Sequence, residues 1–160
     1  MAGSSSPLIT VSVLLVVAAT LLCTAVSKRS LPPNQCASKP FRCRSCGRNN
    51  YINVKIIAKN VLVTPNFEHN VTIYREPQCS LVHFLEQAAE LNGYFNFSSS
   101  YHRSLGYMVN TINHVTADVS AKTYWNIKSV TNGYNSLLCG VSTYIPKHGE
   151  EILFNFTSWA

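Results

Sequence analysis

Acidic residues are scarce in this chain: seven Asp and Glu stand against thirteen Lys and Arg, and charged residues make up only 12% of 160 positions. So few carboxylates leave little material for paired acid and base catalysis. The five histidines, at 69, 83, 102, 114 and 148, lack metal-ligand spacing, and no Ser or Cys nucleophile motif occurs, so the chain does not read as an enzyme. His83 falls in the first turn of an expected helix, where the dipole disfavours a cation, and His148 falls in a turn. Beyond residue 25 no apolar run is long enough to span a bilayer. There is no internal repeat. Cys43-x-x-Cys46 supplies two ligands where a structural zinc needs four, and no second pair follows at ribbon spacing, so no metal site is expected.

What is present describes an exported domain. Residues 7–25, PLITVSVLLVVAATLLCTA, form an apolar run followed by small residues, which reads as a secretory signal peptide over 1–27; an uncleaved signal anchor is the rival reading. The formal charge is +6, but Lys28, Arg29, Lys39, Arg42, Arg44 and Arg48 crowd into one acid-free stretch. The remainder is close to neutral, which argues against nucleic acid. Residues 28–50 are rich in Pro, Ser, Arg and Cys without apolar periodicity and read as a tail or linker. Loss of the signal leaves Cys36, Cys43, Cys46, Cys79 and Cys139 in an oxidising compartment, where disulfides are expected. Five is odd, so one thiol stays free or pairs with another chain, as in a disulfide-linked homodimer. Sequons at Asn70, Asn96 and Asn155 agree with export and are candidate glycosylation sites. Localisation is then secreted, with no membrane association after signal removal.

Residues 51–160 carry the fold. Tyr51 to Val63 alternates and then turns apolar, a strand; Thr64-Pro65-Asn66 breaks it, and Val71 to Tyr74 completes an opening hairpin. One helix is expected over Ser80 to Leu91, with Ser80 as cap, with Leu81, Phe84, Leu85, Ala88 and Leu91 on the buried stripe, and with Asn92-Gly93 closing it in left-handed fashion. Tyr94 to Phe97 reads as strand, Ser98 to Ser100 as loop, and Gly106 to His114 as strand. From Tyr124 to Trp159 an Asn132-Gly133 pair predicts a type I′ hairpin turn. The last strand alternates Ile152, Phe154 and Phe156 against Leu153, Asn155 and Thr157, so Asn155 can carry a sugar on the pleat opposite the phenylalanines. The class is α+β: a mixed sheet with one packed helix, β-grasp-like.

From about Val71 to Trp159 the chain resembles the C-terminal β domain of the transcobalamin and intrinsic factor family of vitamin B12 carriers. The helix SLVHFLEQAAELNGYFNF, the strand LGYMVNTINHV, the pair Tyr124-Trp125 followed by an amide, the loop Leu137-Leu138-x-Gly140-Val141, and the ending Tyr144-Ile145-Pro146-Lys147-x-Gly149-Glu150-x-Ile152 carry the resemblance. It covers somewhat over half the chain, and there is no room for the preceding α/α-barrel of the full-length carriers. Asn126 stands where the family usually has glutamine. The resemblance implies a cobalamin ligand, with contacts from Asn113, Tyr124, Trp125, Asn126, Leu137 and Leu138; a core role for Trp125 is the competing reading, since it shares a strand face with Ile127. It also implies that Cys79 and Cys139, if brought together, form a bridge contributing about 3 to 4 kcal/mol. A corrin plate is too large for one lid domain to bury, so weak binding, or binding with a separate protein chain, is expected. The alternative is an extracellular protein-interaction module with the same fold and no cobalamin role. No cofactor of its own is implied.

Overall fold

The structure, a computed structural model, describes Cys43, residues 50–103 and residues 106–160. The signal peptide, nearly all of the basic tail, and Cys36 and Cys46 lie outside the described residues. Tyr51–Asn60 (β1) and Phe67–Pro77 (β2) form the opening hairpin; Leu81–Leu91 is the helix (α1); Phe97–His102 (β3), Gly106–Ile112 (β4) and Val115–Thr116 (β5) follow, then Thr123–Ser129 (β6), Asn135–Ser136 (β7) and Glu150–Ser158 (β8). The architecture is α+β. Instead of one sheet there are two, a five-stranded sheet in the order β2-β1-β8-β6-β7 and a three-stranded sheet β3-β4-β5.

The C-terminal strand sits at the centre of the larger sheet, parallel to β1 and antiparallel to β6, which makes that sheet mixed. Its even residues Ile152, Phe154 and Phe156 are buried with Val54, Ile56 and Ala58 of β1 and with Trp125 of β6. The helix lays Leu81, Val82, Phe84, Leu85 and Ala88 on this face. Val109, Ile112 and Val115 of the smaller sheet complete the same core. Each fully buried Phe or Leu here contributes about 1.5–3 kcal/mol.

Several local expectations are corrected. The first strand stops at Asn60, and Val61, Leu62 and Val63 are exposed in the turn. The reason is Asn60: its buried amide donates to the carbonyls of Val63 and Pro65 while its oxygen accepts from the Leu62 and Val63 N–H groups, so the turn is built around one side chain. Ser80 occupies the cap position of α1 but makes no side-chain cap bond. The free amides of Leu81 and Val82 donate instead to the carbonyls of Tyr144 and Val141, at 2.8 and 2.9 Å. A tertiary loop has replaced the local cap. Leu91, placed on the buried stripe by periodicity, is exposed, and Val82 is buried in its stead. Asn92 closes the helix in an extended conformation, not a left-handed one, and its side chain caps a 3-10 turn at Gly93–Phe95. Tyr94 and Phe95 are therefore turn, and Ser98 to Ser100 strand. The two-residue turn with positive φ at both positions is Asn113-His114, between β4 and β5. Asn132-Gly133 belongs to a longer β6–β7 connection in which Gly133 and Tyr134 have positive φ.

The Cys79 to Cys139 bridge does not form. Cys79 is bonded to Cys43. Cys139 is also disulfide-bonded, to a partner outside the described residues. Both core cysteines are thus tied to something other than each other, and the helix is pinned to the segment before β1.

Candidate functional site

After β7 the chain runs on beside β6, with the Leu137 N–H donating to the Ile127 carbonyl at 2.8 Å. Leu137 is half-buried against the core, and Leu138 turns outward with 89% of its surface exposed. A leucine presented so fully has nothing of its own domain to pack on. The backbone behind it is held at many points. The N–H groups of Thr143 and Tyr144 both donate to the Gly140 carbonyl, and the Val141 and Tyr144 carbonyls take the first amides of α1. Ser142 is fully buried, and its Oγ accepts from the Tyr107 N–H at 2.7 Å, joining the loop to the smaller sheet. Gly106 makes that approach possible, since a Cβ there would stand 2.7 Å from Ser142 Oγ at a backbone φ of +77°.

The anchor of the loop is Glu150, the buried first residue of β8. Its Oε1 accepts from the Ser129 hydroxyl at 2.6 Å, the Tyr144 hydroxyl at 2.5 Å and the Asn132 amide at 3.3 Å, and its Oε2 accepts from the Lys147 N–H at 2.9 Å. Burial, reinforced by the Glu150 carboxylate, raises the Tyr144 phenol well above its ordinary value, so it stays a donor. One carboxylate therefore ties the end of β6, the 130–134 turn and the 141–147 segment together. No buried side-chain nitrogen or oxygen among the described residues lacks a partner.

The residues expected to contact a ligand do not share one surface. Trp125 is only 6% exposed; its ring lies 5.1 Å from Phe156 and 6.4 Å from Phe67, and its indole N–H donates to the Val115 carbonyl at 3.2 Å. It packs as core. Tyr124 and Asn126 point to the opposite face, where Tyr124 meets Trp159 at 5.7 Å. Asn113 sits in the β4–β5 turn, its N–H bonded to the Asn96 carbonyl. The hairpin and the Leu137–Leu138 loop still come to the same strand. The Val115 carbonyl accepts from the Trp125 indole, and the Leu137 N–H donates to the backbone carbonyl of Ile127, two residues further along β6.

Two features went unread in the sequence. An aromatic row runs from Tyr94 over His69, stacked at 4.1 Å, to Phe67 at 5.3 Å and on to Trp125. Its signal was the shared pleat of Phe67 and His69, but Tyr94 reaches them only through the turn after the helix. Glu150 could have been found: it is in phase with Ile152, Phe154 and Phe156, so the alternation that buries them buries it.

Comparison with known proteins bears on this geometry. No protein-family model matches the chain. It is 33% identical over 93 residues to human cobalamin binding intrinsic factor, covering 58% of this chain and 21% of that one, and 38% identical over 79 residues to the mouse protein, covering 49% and 18%. The structure superposes on haptocorrin, from its complex with Cbi, with a TM-score of 0.56 at 23% identity over 69% of this chain and 26% of that one. The folded part is a transcobalamin-like domain. The chain spans about a fifth of the length of the curated relatives it matches. The same fold also covers 99% of a Ruminococcus gnavus chain, which matches 69% of this one at 15% identity and a TM-score of 0.51. Among the described residues no helix is long and apolar enough to cross a membrane, and no cluster of His, Cys, Asp and Glu could hold a metal.

Proposed function

We propose that this chain is a secreted transcobalamin-like domain that binds a corrinoid weakly by itself, or firmly together with a second chain. The observation that carries the reading is Leu138, 89% exposed on a loop braced from behind by the helix amides, Ser142 and Glu150, in a domain similar to cobalamin binding intrinsic factor. A corrin plate has apolar faces and a fringe of amides. The Leu137–Leu138 loop offers an apolar contact to such a face, and Asn113, on the neighbouring hairpin, offers an amide to the fringe. Bracing matters because a preformed loop loses little entropy on binding. Disulfides at Cys79 and Cys139 agree with an oxidising compartment and hence with export. In this reading the chain carries a ligand and does not transform it, and a second chain or a second copy covers the far face of the plate.

The test is titration of the full mature chain, made in an oxidising host, with cobalamin, following corrin absorbance and Trp fluorescence. Saturable binding is expected, with Leu138→Ala raising Kd about tenfold, the equivalent of roughly 1.4 kcal/mol from partial burial of one leucine. Trp125→Ala is unsuitable as the binding control, because removing a core aromatic costs about 3–5 kcal/mol of stability. Absence of binding up to high micromolar cobalamin, alone and with the purified barrel domain of a relative, refutes the reading. It would favour the interaction-module alternative, for which the exposed Val61, Leu62 and Val63, held by buried Asn60, are the specific support.

A further inference from the structure

The outer face of the five-stranded sheet is covered by no described element. It carries Lys55, Ile57 and Lys59 of β1, Glu68, Asn70 and Thr72 of β2, Glu151, Leu153, Asn155 and Thr157 of β8, and Tyr124, Asn126 and Lys128 of β6. Two of the three sequons fall on this one face. Asn155 lies in the central strand, directly opposite Asn126 of β6 on one side and Lys59 of β1 on the other; Asn70 lies opposite Ile57. Their side chains make no hydrogen bond among the described residues, whereas Asn53, Asn60, Asn92, Asn110, Asn132 and Asn135 are all engaged. The sequon asparagines of this face are free to be modified without breaking anything the fold uses.

We infer that this is a glycan-bearing face, with N-linked oligosaccharides on Asn155 and Asn70, and that it is thereby closed to ligands and partners. Attachment joins the amide nitrogen of each asparagine to the anomeric carbon of an oligosaccharide supplied on a lipid diphosphate; the carbon–oxygen bond to the diphosphate breaks, the lipid diphosphate departs, and the amide loses one proton. No oxidant or reductant is required. The register determines the consequence. Cross-strand neighbours on one pleat have Cβ atoms about 4.5–5.5 Å apart, so a sugar on Asn155 stands over Asn126 and beside Tyr124. The two attachment points are two strands and two residues apart, about 12 Å, close enough for the sugars to cover the strip between them. A bulky, strongly hydrated group there also keeps half-buried Ile57 from offering an apolar contact to another chain. Asn126 and Tyr124 are then beneath the sugar, and contact with a ligand falls to the Leu137–Leu138 side. This inference does not depend on the identity of that ligand.

The experiment uses the full chain recovered from a mammalian secretory host in which glycans remain trimmable by an endoglycosidase to a single N-acetylglucosamine. Glycopeptide mass spectrometry is expected to find Asn155 and Asn70 occupied. Labelling with a bulky amine-reactive probe is then compared before and after trimming, with Lys59 as the reporter and exposed Lys147, at the far end of the sheet, as the internal reference. Trimming should raise Lys59 labelling at least fivefold relative to Lys147, and Thr157→Ala, which destroys the Asn155 sequon while leaving the fold, should do the same without trimming. An unmodified Asn155, or Lys59 labelling that neither trimming nor Thr157→Ala changes, overturns the proposal.

Discussion

Replacing Glu150 by Gln keeps the size of the side chain and removes its charge. The carboxylate accepts four hydrogen bonds, three of them at Oε1. The amide is best placed with its carbonyl toward Ser129, Tyr144 and Asn132, which aims its NH2 at the Lys147 N–H, donor against donor. One buried donor then goes unsatisfied, at about 1–3 kcal/mol, and three bonds to a charged acceptor become bonds to a neutral one, each weaker by roughly 1 kcal/mol. Against this, an amide is less costly to bury than a carboxylate, by several kcal/mol. The net expectation is a loss of about 2 kcal/mol, or a fall in Tm of roughly 10 °C for a domain of this size. Urea unfolding with the disulfides intact should show a lower midpoint at unchanged m. Glu150→Ala, which leaves the Ser129, Tyr144 and Lys147 donors without their acceptor while Asn132 keeps its bond to Ser129 Oγ, should lose about 3–5 kcal/mol. A Glu150→Gln protein as stable as wild type or more so would refute the reasoning, because the burial cost of the carboxylate would then outweigh its bonds.

Tyr144 has a phenol raised above its ordinary value, so the folded state keeps its proton where the unfolded state gives it up. Its contribution is fully present below the unfolded pKa of about 10 and is lost as pH rises beyond it. Stability measured from pH 8 to 11 should therefore fall more steeply in wild type than in Tyr144→Phe, which is already weaker at neutral pH by the lost bond to Glu150; parallel profiles would contradict this. Gly106→Ala meets both the positive φ and the Ser142 side chain at under 3 Å, and should cost about 1–3 kcal/mol. Thermal unfolding indistinguishable from wild type would show that the contact between loop and smaller sheet is slack.

Much of the fold was legible because period and polarity are local. The alternation of Ile152, Phe154 and Phe156, the helix between Leu81 and Leu91, and the opening hairpin follow from which residues can face a core at period 2 or 3.6. The misreadings share a cause. Asn132-Gly133 has the composition of a tight turn, yet Asn132 is recruited by Glu150, eighteen residues away, and the connection lengthens; Asn113-His114, without glycine, takes the tight turn because Ile112 and Val115 must both reach the core. Ser80 can cap a helix, but the 141–144 carbonyls reach the same amides first.

The sequence by itself determined the opening hairpin, the helix and the closing strand, the concentration of charge before residue 50, the sequons, and the motifs shared with the transcobalamin family. Only the tertiary structure decided that Cys79 pairs with Cys43, that Trp125 is core while Leu138 is not, and that Asn155 stands opposite Asn126. Those facts are pairings between residues far apart in the chain. Period and propensity report which way a side chain points from its own backbone; which distant strand, carbonyl or thiol it then meets is settled by how whole elements pack.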